Sequence, residues 1–185
     1  MNGRRRALLA RKASGNLPGE YRQVRWIGYA GPGKYLNTGV SGEDVSVIRV
    51  TVARISGADN RTVMPSAFNV SSGAPVSAPY GFLEGGTASA FSVVPAVAQS
   101  STFDFTDFVF TRSAAFQANV GFGYSNGIFC PSLRFSKLTM EDSNGNILFD
   151  AIPCYRKSDG AIGLYDTVNS VFRETAGAWT KGDDT

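Results

Sequence analysis

Lys137-Leu138-Thr139-Met140-Glu141-Asp142-Ser143-Asn144-Gly145-Asn146-Ile147 is the stretch that decides the fold. Leu138 and Met140 alternate with Lys137, Thr139 and Glu141, so an extended chain would put apolar and polar side chains on opposite faces. Ser143-Asn144-Gly145-Asn146 then supplies an Asn-Gly turn, where positive φ is tolerated, and a new strand begins at Ile147. This reads as a β-hairpin. Outward from it the period of two recurs. Ser46–Ala53 sets Ile48, Val50 and Val52 against Arg49 and Thr51. In FDFTDFVF, Phe103, Phe105, Phe108 and Phe110 alternate with a slip of one residue at Thr106-Asp107, which predicts a bulge or kink there. Shorter strands are expected at Val24–Tyr29, Tyr35–Asn37, Thr62–Asn69, Phe91–Val94, Asn119–Tyr124 and Ile162–Tyr165, separated by Gly-, Ser- and Pro-rich loops such as Ser71–Pro79 and Glu84–Ala88. No long window carries a helical apolar stripe. The class is therefore all-β, an antiparallel sandwich or barrel. For 185 residues a two-sheet jelly roll fits better than an immunoglobulin-like domain of about 100 residues.

Composition narrows the chemistry. The chain has no histidine, which excludes Ser-His-Asp triads, Cys-His dyads and His-ligated zinc or haem. Hydrophobic residues make up 43 %, aromatic residues 12 % and charged residues 18 %, too apolar for a disordered chain. No apolar run approaches the length of a membrane span. The formal net charge of +3 divides unevenly. Five of the 18 basic residues (Arg4, Arg5, Arg6, Arg11 and Lys12) precede the first acid, Glu20, which leaves 13 against 15 acidic residues beyond them, about −2. Residues 1–15 thus form a basic arm and residues 16–185 a near-neutral sandwich domain.

The arm, MNGRRRALLARKASG, carries too short an apolar stretch for a secretory signal. Arg4–Ala13 are good helix formers, but an isolated helix of that length is marginal in water and orders against a partner. Ser14-Gly15-Asn16 and Pro18-Gly19 read as a stop and linker. The arm could be a solvated tail, a phosphate contact or a docking helix. No aromatic residue is interleaved with its charges, which disfavours single-strand nucleic-acid binding. Docking on a larger assembly through Ala7, Leu8 and Leu9, with Arg4, Arg5, Arg6, Arg11 and Lys12 around them, is the favoured reading.

No catalytic constellation assembles. Gly31-Pro32-Gly33-Lys34 lacks the spacing, the Ser/Thr and the helix of a phosphate loop. Gly121–Gly127 lacks dinucleotide spacing. A glycosidase needs two carboxyl groups about 5–5.5 Å apart for the retaining mechanism, best met by a Glu-x-Asp-x-Glu run, and none exists. Asp104 and Asp107 point to opposite faces of a regular strand, and Glu141 and Asp142 read as solvated turn acids. Asp142, Asn144 and Asn146 resemble a calcium loop in spacing, but Ile147 stands where its glycine belongs and the bidentate Glu is missing. No metal or other cofactor is expected. Cys130 and Cys154 are read as two partly buried thiols, with a long-range bridge as the alternative. Trp26, Tyr80, Tyr124, Tyr155 and Trp179 are candidates for stacking on sugars, against the competing expectation that sandwich aromatics lie in the core.

The chain also resembles a family. Ile147-Leu148-Phe149-Asp150-Ala151-Ile152-Pro153-Cys154-Tyr155-Arg156-Lys157-Ser158-Asp159-Gly160, then Gly163-Leu164-Tyr165-Asp166, Asn169, Phe172, Ala176-Gly177 and Thr180-Lys181-Gly182, is similar to the closing phrase of LamG-like, concanavalin A-like jelly-roll domains of phages and prophages. Leu17-Pro18-Gly19-Glu20-Tyr21-Arg22-Gln23-Val24 and Tyr35-Leu36-Asn37-Thr38-Gly39 resemble the family's opening. Asn37 departs from its usual Asp, and Gly31-Pro32-Gly33 from its usual Ser-Thr-Gly-like stretch. The resemblance spans Leu17 to about Gly182, with a divergent middle. It implies a concanavalin A-like two-sheet sandwich and a non-enzymatic virion structural protein, for capsid decoration or as a tail component. Present in several copies, it would attach to capsid, portal or tail proteins by residues 1–15 and adhere to host-surface glycans. Pro153 is expected at a strand edge or start, Leu164, Tyr165 and Phe172 in core or closing contacts, and the closing strands beside the opening ones. The rival readings are a carbohydrate-binding module without a virion role, a glucanase-type enzyme, and a genome-facing protein that binds nucleic acid through its arm.

Overall fold

In the computed structural model, residues 17–29, 34–56, 65–68, 91–94, 102–112, 119–124 and 132–185 are described. The arm residues Arg4, Arg5, Arg6, Leu8, Leu9, Arg11 and Lys12, together with Tyr80 and Cys130, lie outside them.

The described chain is all-β with antiparallel pairing. Its strands are β1 (Tyr21–Gln23), β2 (Ile27–Tyr29), β3 (Lys34–Ser41), β4 (Val47–Ser56), β5 (Pro65–Phe68), β6 (Phe91–Val94), β7 (Phe103–Arg112), β8 (Asn119–Tyr124), β9 (Ser132–Glu141), β10 (Ile147–Arg156), β11 (Ile162–Asp166), β12 (Val171–Glu174) and β13 (Thr180–Lys181). One sheet runs β12-β11-β10-β9-β4-β7-β6, with β1 added on β10, β2 on β9 and β13 on β2. A second sheet runs β3-β8-β5. Both contribute to one core. Leu36, Val120 and Phe122 from the small sheet join Ile48, Val50, Val52, Phe108, Phe110, Leu138, Met140 and Phe149 from the large one. Phe122 meets Phe135 edge-on across the layers, with centroids 5.2 Å apart. This arrangement is compatible with a β-sandwich.

The deciding hairpin forms as the sequence predicts. β9 pairs with β10 from Ile147↔Glu141 to Ala151↔Leu138, and Gly145 takes φ +80° at the turn. Asp142 closes it: Oδ1 accepts from the backbone N–H of Asn144 and of Asn146, and Oδ2 from Asn146 Nδ2, each at 2.8 Å. The Asn146 amide holds this carboxyl below the usual range. The spacing that resembles a calcium loop is thus that of an Asx-type turn. Glu141 is not simply solvated: it accepts from Arg49 Nε of the neighbouring β4 at 2.7 Å.

The slip in FDFTDFVF also takes shape, displaced by a few residues. Asp107 and Thr106 stay in register with Thr51 and Val52, and the shift falls between Val52 and Arg54, opposite Asp104 and Phe105. Inward-facing Phe108 and Phe110 are buried, whereas Phe103 and Phe105 are half-buried. Thr51 Oγ1 donates to Asp107 at 2.5 Å, which ties that residue to β4.

The two ends of the chain meet. Tyr21, Arg22 and Gln23 pair with Arg156, Tyr155 and Cys154. Ile27 and Gly28 pair with Lys181 and Thr180, and Val24 bridges Asp184. Pro153 is a correction. It is buried inside a ten-residue strand, not at an edge. It is tolerated because β10 changes neighbours there, leaving β9 after Ala151 and taking up β1 at Cys154. A residue without an N–H costs least where no ladder bond is called for.

Candidate functional site

The rings expected to stack on sugars fall into different settings. Trp179 is a core residue, 7 % exposed. Its Nε1 donates to the Ala176 carbonyl at 3.0 Å, and its ring packs toward Phe135. A ring closed to solvent presents no face to a ligand, so the expectation is corrected for this residue. Trp26 and Tyr155 are half-buried, and each already carries a cation. Arg134 Cζ stands 4.1 Å from the Trp26 centroid, and Lys181 Nζ stands 4.4 Å from that of Tyr155. Trp26 also packs on Gly182, where an added Cβ would come within 2.5 Å of Nε1. The Lys181 and Gly182 contacts fasten the C-terminal tail to the body. Tyr124 lies on β8, with its ring outside the description.

Cys154 is a free, buried thiol, which matches the buried-thiol reading at this position; Cys130 lies outside the described residues. Burial pushes its pKa up to about 12. Because the folded state favours the protonated form, the associated stability is present below the ordinary thiol pKa of about 8.5 and is lost as pH rises toward the folded value. At pH 8 Cys154 is expected to resist a thiol reagent in the native protein and to react on unfolding, as peptide mapping of the label would report. Rapid native labelling would contradict this burial.

A different group of residues lines an open recess of about 490 Å³: Asn37, Gly39, Asn119, Phe172, Arg173 and Glu174. It is built by a bulge on β3. Asn37 pairs with Gly121 and Ser41 with Asn119, so three residues on β3 span one on β8. Thr38 turns inward and donates to the Val120 carbonyl at 2.6 Å. Asn37 Oδ1 accepts from the Gly39 N–H at 2.8 Å. Gly39 takes φ +73°, a conformation that favours glycine. Bulges commonly re-aim side chains beside functional sites.

The opposite wall is β12, at the edge of the large sheet. The Arg173 guanidinium lies against Gly39: a Cβ there would stand 2.7 Å from Nη1 and 2.9 Å from Cζ and Nη2. Phe172 is fixed from behind by Tyr21, whose ring stacks on it at 4.9 Å, and by Arg156, 5.4 Å from its centroid. Glu174 accepts from Arg156 Nη2 at 3.1 Å. Arg156 also engages Asp159 at 2.7 Å, which holds that carboxyl below its usual range. Glu174 is therefore balanced by Arg156. Arg173 makes no ion pair among the described residues, and its buried Nε finds no hydrogen-bond partner there.

The recess thus offers a cation, two amide side chains and an aromatic edge. The described residues hold no group of three or more Cys, Asp or Glu that could hold a metal ion. Asp104 and Asp107 are both exposed on β7. The sequence marks Asn37 and Gly39 only as parts of the opening phrase, and carries no signal at Arg173 or Asn119. No family model, curated protein or solved structure matches this chain.

Proposed function

We propose that this chain is a phage virion structural protein, for capsid decoration, a head fibre or the tail. Residues 1–15 attach it to capsid, portal or tail proteins, and its LamG-like, concanavalin A-like sandwich is displayed in several copies for adhesion to host surfaces or their glycans. The observation that carries this reading is the paired resemblance of the opening and closing phrases to such phage domains. The meeting of those phrases in β1–β10 and β2–β13 supports treating them as one fold-specifying unit. No enzymatic step is assigned.

Deleting residues 2–15 is expected to abolish incorporation into particles while leaving the melting transition of the body unchanged. Full occupancy by the truncated protein would overturn the anchor. A second reading, a carbohydrate-binding module without a virion role, is favoured by the polar recess beside Phe172. It requires glycan binding by the isolated protein with no particle association.

A further inference from the structure

We infer that the recess between the β3 bulge and edge strand β12 binds an oxyanion-bearing saccharide, with Arg173 as the group that reads its carboxylate or phosphate. The inference rests on the adhesion reading and names the ligand class of that site.

Three features carry it. The first is an unmet donor. Arg173 Nε is buried with no hydrogen-bond partner among the described residues, and a guanidinium cannot shed its charge to relieve this. Buried polar groups are nearly always satisfied, so this guanidinium keeps hydrogen-bonding capacity that the described chain leaves unused. Nε itself is closed to solvent, so the guanidinium meets a ligand through its Nη groups, whose N–H bonds match two oxygens of one oxyanion.

The second is the space around it. Gly39 leaves room for the guanidinium that any side chain at that position would take. The bulge that holds Gly39 also brings Asn37 to the rim. Asn119, itself only 7 % exposed, lines the recess from β8. The Asn119 amide can donate and accept together, as the hydroxyls of a sugar do, whereas Asn37 Oδ1 is already taken by the Gly39 N–H.

The third is the charge balance. The acid that lines the recess, Glu174, is engaged by Arg156, and Arg156 is shared with Asp159. Arg173 is thus the recess cation left uncompensated by the described chain. Phe172, held by Tyr21, adds an apolar edge for a sugar ring. A recess of about 490 Å³ is within the usual range for a small-molecule site, about 300–1,000 Å³.

The test is a titration of the full-length protein, followed by the Nε–H resonance of Arg173 and by calorimetry. One arm uses an oligogalacturonate, for a sugar carboxylate; a second uses an oligomer of glycerol phosphate carrying sugars, for a wall phosphate; a neutral oligogalactoside serves as control. Saturable binding of either anionic probe is expected, with a shift of the Nε–H signal and weakening by salt. Whichever arm binds identifies the source of the oxyanion. Arg173→Lys keeps the charge but loses the fork and is expected to weaken binding roughly tenfold or more. Equal affinity for the neutral oligomer, an unmoved Nε–H signal, or undiminished binding by a folded R173K protein would each overturn the inference. The wild-type resonance decides the matter even if the variant fails to fold. Adhesion of wild-type particles to host cells that persists in R173K particles would overturn this site while leaving the adhesion reading intact. Specific binding of the anionic probe without cell adhesion would sink the adhesion reading alone.

Discussion

Replacing Phe149 with Ala is expected to destabilise the protein by about 3–5 kcal/mol, the usual cost of truncating a fully buried phenylalanine. For a chain of this size that corresponds to a melting temperature lower by about 10 °C. Phe149 is fully buried and sits where β10 shifts register against β9, paired with Met140 after Ile147↔Glu141. It belongs to the core shared by the two sheets. Truncation removes the transfer free energy of the ring and leaves a cavity that two sheets cannot easily close. Phe149→Leu, which restores much of the volume, should recover most of the loss. Urea unfolding of the three proteins measures it. A loss under 1 kcal/mol for Phe149→Ala would mean that the face of β10 is not packed as described.

Asp166→Ala is expected to cost about 3 kcal/mol and to loosen one turn selectively. Asp166 is a fully buried carboxylate at the end of β11. Its Oδ1 accepts from Val168 N at 3.0 Å, Asn169 N at 3.4 Å and, at the long limit, Asp150 N at 3.5 Å. Its Oδ2 accepts from Asn169 Nδ2 at 2.6 Å, and that amide also donates to the Leu148 carbonyl at 3.0 Å. The carboxylate thus organises the β11–β12 turn and ties it to β10. Alanine leaves these donors in a space that water enters only by opening the turn. Hydrogen exchange at the Val168 and Asn169 amides should accelerate well beyond the change in global stability. Unchanged protection of those two amides would show that the turn stands without Asp166. Because β12 carries Phe172 and Arg173, the same variant should also weaken any ligand that depends on the recess.

What could be read from the chain is what period and turn chemistry encode. The Asn-Gly hairpin, the Ser46–Ala53 strand and the FDFTDFVF strand appear as expected, because alternation reports which face is buried and an Asn-Gly turn leaves little choice of connection. Short strands were harder to see. Tyr21–Gln23 and Thr180–Lys181 have no room for a period. They exist because partners at the far end of the chain, Arg156 and Gly28 among them, complete their ladders. Pro153 shows the same limit: its place inside β10 makes sense only once β9 and β1 are seen to share that edge in turn.

The candidate site was nearly invisible for the same reason. Its residues come from β3, β8 and β12, separated by most of the chain. The decisive property of Arg173, a buried Nε without a partner, belongs to an environment and not to a residue type. Trp26 and Tyr155 were singled out as aromatics, yet their neighbours Arg134 and Lys181 decide what those rings do. By itself the sequence determined the all-β class, the main strands and the absence of histidine chemistry, since these follow from local pattern and composition. Only the tertiary structure decided which residues of the two ends pair, that Cys154 is buried completely, and that a bulge at Gly39 faces an arginine. Those depend on contacts between residues far apart in the chain, which no local period records.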